Sequence, residues 1–162
     1  MTRTTAREIA VLLSYSAASG GEAAEALLES FFEEEHYASL APENTLFTQK
    51  PDKRQMEYIR TLVSLTEEHR AELDESIERF ARGWKLNRIS RMAAAILRCA
   101  MCEILYIPDV PTAAAINEAV ELAKRYEDAD GAAFINGILG SFVRAGEEAP
   151  EPAKTEEEQG AQ

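Results

Sequence analysis

Positive charge is short in this sequence: 17 Lys and Arg stand against 29 Asp and Glu, a formal net charge of −12 over 162 residues. A nonspecific nucleic-acid coat rests on many cationic contacts to phosphate, so that class is excluded and any nucleic-acid contact must be local and assisted. Thiols are few. Cys99 and Cys102 lie three apart in one apolar run, on neighbouring faces of a helix; such a pair reads as small, reduced core residues. A zinc site needs further ligands close by, and His36 and His69 stand isolated in acidic, helical surroundings. No charge-poor run reaches the roughly 20 apolar residues of a membrane span. There is no charged-then-apolar leader, so a cytoplasmic protein is expected. Alternation with period two is missing as well, and Asp130-Gly131 and Asn136-Gly137 fall inside helical patterns, which leaves no hairpin. The sequence contains no GxxxxGK[ST], HExxH or GxSxG motif and no cysteine beside a histidine. Catalysis and cofactor binding are not expected.

What is present is helix, organised around RISRMAAAILRCAMCEILYI, residues 88–107. Between Met92 and Ile107 only Arg98 and Glu103 carry charge, so this helix has no wide polar face and must be covered by neighbours. Each of its two charges then reaches the helix rim or pairs with another helix, because a buried charge left alone costs several kcal/mol.

Amphipathic helices surround it in the sequence. The first spans about residues 2–18, with Ala6, Ile9, Ala10, Leu13 and Ala17 at helical spacing; Thr2, Thr4 or Thr5 caps it and Gly20-Gly21 ends it. The spacing predicts a second helix over residues 22–36, with an acidic outer face. Residues 38–52 read as a long connection with a short turn near Leu46 and Phe47 tucked onto the core. Asp52 caps a third helix bearing Met56, Ile59, Leu62, Val63 and Thr66, with a break near residues 69–72 and a further stripe of Leu73, Ile77, Phe80 and Ala81. Gly83 closes that helix and Trp84 is its expected plug. The IPDVPT turn follows the central helix, with Thr112 as the expected cap of the next helix and Asp130 as the cap of the last, which carries Phe134, Ile135, Ile138, Leu139 and Phe142. The fold expected is all-α: about seven helices, two three-helix groups packed around a buried central helix. The last sixteen residues, 147–162, hold six Glu and one Lys, −5 of the −12, leaving −7 for residues 1–146. Without an aliphatic residue larger than alanine this tail is expected to be disordered.

Taken in order, WKLNRISRMAAAILRCAMCEILY, a Val-Pro turn, INEAVELAKRY and FINGIL resemble the NusB family of bacterial transcription antitermination factors, and AREIAVLLSY from Ala6 fits the family's opening helix. The resemblance implies two perpendicular three-helix groups and no catalysis. It implies binding of a short single-stranded RNA element, boxA, in nascent ribosomal transcripts, as a heterodimer with NusE, a ribosomal small-subunit protein. The pair then joins an antitermination complex on RNA polymerase.

Carried over by position, the family's arginine-rich motif falls on residues 2–7. Arg3 and Arg7 remain, and Thr4 and Thr5 stand where basic residues are common; Arg7 is the expected contact to phosphate or a base edge. Tyr15 falls on a NusE-facing position. Tyr126, Asp130 and Phe134 match the second RNA-facing region, where rings can stack on unpaired bases. The family often has Ser and a basic residue just after the Asp130 position, whereas this chain reads Gly131, Ala132, Ala133, so RNA affinity of the chain alone is expected to be weak and salt-sensitive. Asn117 and Asn136 are expected to satisfy backbone groups at helix junctions. Some RNA cytosine methyltransferases carry a NusB-like domain, but they need a glycine-rich cofactor-binding domain after it. A protein-interaction module that has lost RNA contact is the alternative reading.

Overall fold

The computed structural model describes residues 1–82 and 88–148; Gly83, Trp84 and the acidic tail from residue 149 onward lie outside the described residues. Among those described are eight α-helices, one 3-10 turn and no strand. They form two compact units, Met1–Glu68 and His69–Gln162. Among the described residues no helix is long and apolar enough to cross a membrane.

In the first unit, α1 (Arg3–Gly20) packs chiefly on α4 (Lys53–Glu68). Thr2 caps α1, its Oγ1 accepting from the Thr5 N–H at 3.1 Å. Gly21 ends it with φ +71°, a left-handed conformation that costs glycine nothing. The expected stripe of Ala6, Ile9, Ala10, Leu13 and Ala17 is buried throughout. Asp52 and Gln55 form a reciprocal cap at the start of α4: the Gln55 N–H donates to Asp52 Oδ1 at 2.8 Å and the Asp52 N–H to Gln55 Oε1 at 2.9 Å.

The single helix expected over residues 22–36 is two. After α2 (Ala24–Phe31) the chain breaks, and the Glu33 carboxylate accepts from the N–H groups of Glu35 and His36 at 3.2 and 3.0 Å, opening α3 (Glu34–Leu40). A capping carboxylate satisfies orphan donors that a continuous helix would have bonded internally, and this split accounts for the eighth helix. The 3-10 turn Thr45–Phe47 lies near the expected residues, with the Phe47 ring 5.7 Å from Phe31 and 5.9 Å from Tyr37. The Tyr37 hydroxyl donates to the Gln49 carbonyl at 2.8 Å, and burial raises its pKa above the ordinary value.

The second unit holds α5 (Arg70–Phe80), α6 (Arg91–Tyr106), α7 (Thr112–Tyr126) and α8 (Ala129–Glu148). Here α6 is the expected buried helix: it packs against α5, α7 and α8, and every residue from Ala93 to Glu103 is buried, both cysteines included. Arg98 pairs with Asp74 of α5, and Glu103 is buried at 1% exposure. The His69 ring, at the expected break after α4, stacks on Tyr106 at 4.4 Å. Two expected caps differ. Pro111, not Thr112, precedes α7, since proline's fixed φ suits the entry while Thr112 is already helical. Asp128, not Asp130, caps α8, its Oδ1 accepting from the Gly131 N–H at 2.7 Å.

Candidate nucleic-acid and partner interface

The first turn of α1 contains one cation, Arg3, and no acid, and Arg7 opens the second turn. Helix polarity already places positive potential at an N-terminus, so cations there are unfavourable unless something offsets them. The ring of Tyr58 in α4 supplies part of the offset: the Arg3 guanidinium carbon lies 4.2 Å from its centroid and that of Arg7 5.8 Å. Cation–π contacts of this kind contribute about 0.5–2 kcal/mol each, rising with desolvation. Gln55 of α4 donates from Nε2 to the Met1 carbonyl, tying the chain start to the same helix. The two arginines, four residues apart on one face, differ in access: Arg3 is half-buried, whereas Arg7 is only 4% exposed. The accessible cation of the motif is therefore Arg3, not the Arg7 that the sequence put first. Tyr58 and Gln55 were missed because their link to the motif is tertiary, about fifty positions along the chain. Tyr15 sits further along α1, half-buried.

In the second unit, the α7–α8 junction presents the other expected residues. Tyr126 ends α7 and is half-buried, Asp130 is exposed in the first turn of α8, and Phe134 is half-buried one turn on. Since Asp128 does the capping, the Asp130 carboxylate has no part in the cap. The junction is tight. A Cβ on Gly131 would come 2.8 Å from the Glu127 Cβ and 3.3 Å from Asp128 Oδ1, so the side chain that the family often places after this position would force the turn to move.

The Ser90 hydroxyl, which also caps α6, donates to the Glu127 carboxylate. This bond brings the start of α6, with exposed Arg88 and Arg91, to the α7–α8 junction. Lys124 and Arg125 in the last turn of α7 add exposed positive charge. The spacing of Arg88 and Arg91 was visible in the sequence, but nothing local tied it to the junction. Asn117 and Asn136 are both exposed in the bodies of α7 and α8, so neither satisfies a junction.

Among the described residues the fold is helical, and its cationic first turn and the aromatic side chains at a helix junction are groups able to contact nucleic acid. The NusB family model matches residues 4–144, and the chain belongs to that family. It is 40% identical over 144 residues to the transcription antitermination protein NusB of Thermoanaerobacter sp. (strain X514), covering 89% of this chain and 91% of that one. Its fold is similar to that of T. maritima NusB, with a TM-score of 0.74, 26% identity and 98% of both chains covered. It is also similar to a chain in a crystal structure of the antitermination factors NusB and NusE in complex with double-stranded RNA, with a TM-score of 0.71, 25% identity and coverage of 88% and 96%. Transcription antitermination, which works by binding and not by catalysis, is the family's activity and that of this chain.

Proposed function

We propose that this protein, in the cytoplasm, binds boxA-type single-stranded RNA of nascent rRNA transcripts together with NusE and helps assemble the antitermination complex on RNA polymerase. The observation that carries the RNA reading is the first turn of α1, where Arg3 is held over Tyr58 at a helix N-terminus free of acids. Anions are favoured at such an end by the helix dipole and by the fixed cation together. Arg3 meets phosphate, and Arg7 contributes its charge from beneath while bracing the Tyr58 ring. In the second unit Tyr126 and Phe134 stack on unpaired bases, and Asp130 accepts from base-edge amino groups.

Tyr15 belongs to the NusE-binding face. With a net −7 on residues 1–146, the chain gains from a basic partner that supplies the phosphate contacts it has few of. Residues 1–146 form the binding module; the boundary falls in the last turn of α8.

Three acids, Glu127, Asp128 and Asp130, crowd the α7–α8 junction, and they favour the second reading, a module that binds protein alone. A fluorescence titration of a labelled boxA-type oligonucleotide against the chain plus NusE separates the two. The proposal expects saturable binding of the single strand and its loss when the same RNA is annealed into a duplex. No binding of either form in the presence of NusE would leave the protein-only module standing.

A further inference from the structure

From Glu8 to Gln49 the chain contains eight glutamates and no Lys, Arg or Asp. Seven of them, Glu22, Glu25, Glu29, Glu33, Glu34, Glu35 and Glu43, are exposed. They lie on and around α2 and α3, and among the described residues none is in an ion pair. Solubility alone does not need such a concentration of one sign, and mutual repulsion disfavours it.

The same segment carries an aromatic cluster. Phe31 lies 4.9 Å from Phe32, 5.8 Å from Tyr37 and 5.7 Å from Phe47, mostly edge to face, and Phe31, Phe32 and Phe47 are all half-buried. Beside it is a depression of about 340 Å³ whose lining includes Tyr37, Ala38, Ala41 and Phe47, with Glu34 and Lys50 at its polar edge. That volume is at the lower end of small-ligand sites and is ample for one large side chain. An apolar hollow edged by Glu34, on a segment whose exposed charges from Glu22 to Glu43 are all acidic, is complementary to a cationic segment carrying an apolar anchor. A phosphate backbone would be repelled, and a second copy would meet its own sign of charge.

We propose that the α2–α3 face docks a lysine- or arginine-rich polypeptide segment that seats one aromatic or large aliphatic side chain in the hollow, against Tyr37 and Phe47. The exposed glutamates steer and orient the segment, and the hollow selects the anchor. Lys50 fixes the polarity of the bound segment by disfavouring a cation at its own end. The proposal does not rest on the RNA reading, because neither the hollow nor its rim includes a residue assigned there.

The test uses two labelled peptides of alternating lysine and serine, one with a central tryptophan and one with glycine in its place, titrated against the full chain by fluorescence anisotropy. The wild type is expected to bind the tryptophan peptide roughly tenfold more tightly, the worth of burying one aromatic ring. Ala38→Trp, which fills the hollow from an exposed helical position, is expected to abolish that preference while leaving the salt-dependent binding common to both peptides. Glu29→Lys/Glu34→Lys weakens both. If Ala38→Trp does not retain wild-type helicity, Ala41→Trp blocks the hollow from its other side. Equal affinity of the wild type for both peptides, or a preference that survives both tryptophan variants, overturns the proposal. So does self-association in sedimentation, or binding of a boxA-type RNA, that is lost on filling the hollow.

Discussion

In the second unit the Arg98 Nε of α6 lies 2.6 Å from Oδ1 of Asp74 in α5, with side-chain exposures of 9% and 20%. The one cation within the apolar stretch of α6 is thus held by a carboxylate from a neighbouring helix. Asp74→Ala strands a buried guanidinium and should cost about 3 kcal/mol, the low end for breaking a buried pair because Asp74 keeps some water contact. The double variant Arg98→Met/Asp74→Leu should recover most of that loss. Denaturant unfolding of the two variants checks both expectations, and equal destabilisation would show that the pair has a role beyond cancelling its own desolvation.

Leu97 has no exposed surface. Leu97→Ala should therefore destabilise the protein by about 2–5 kcal/mol, the spread reflecting how far the surrounding helices close over the void. A denaturation midpoint equal to wild type would show that α6 is not the packing centre of its unit.

Arg3→Ala should weaken RNA binding in the presence of NusE and reduce the salt slope by about one, the signature of one lost phosphate contact. Tyr58→Leu should lower affinity by a smaller factor, since it keeps the cation but removes the ring that fixes it. An unchanged salt slope in Arg3→Ala would place the phosphate contacts elsewhere, with Arg88, Arg91, Lys124 and Arg125 next in line.

At the α7–α8 junction, Gly131→Ala adds a Cβ 2.8 Å from that of Glu127. Contact that close should cost about 1–3 kcal/mol as the turn shifts. The thermal midpoint reads the loss, and a stabilised variant would show that the junction relaxes freely.

Much of the fold was legible because the signals are local. The apolar run of α6, a threonine cap on α1, the Asp52 cap on α4 and the turn at Gly20-Gly21 depend on residues within a few positions of one another; the structure has each, and it selects Thr2 among the three threonines and adds Gln55 to the Asp52 cap. Errors arose where neighbours offered equivalent chemistry. Asp128 and Asp130 can each cap a helix, and only the course of the chain through the junction selects Asp128. A glutamate inside an acidic helical pattern resembles any other, so the capping role of Glu33 between α2 and α3 left no trace in the periodicity. The site was less legible than the fold. Arg3 and Arg7 are candidates only through a resemblance, and the burial of Arg7 and the Tyr58 ring beside both arginines arise from the packing of α1 on α4. No spacing within one helix carries that information.

The most direct measurement is the affinity of the full chain for a boxA-type single strand, alone and with NusE, at low and at physiological salt. Weak binding by the chain alone that collapses with salt, and a gain of at least roughly tenfold, about 1.4 kcal/mol, on adding NusE at physiological salt, is the predicted result. Binding that NusE leaves unchanged, or that appears only with NusE and is indifferent to Arg3→Ala, would contradict the account of a chain that meets RNA with its own first turn and needs a basic partner to hold it.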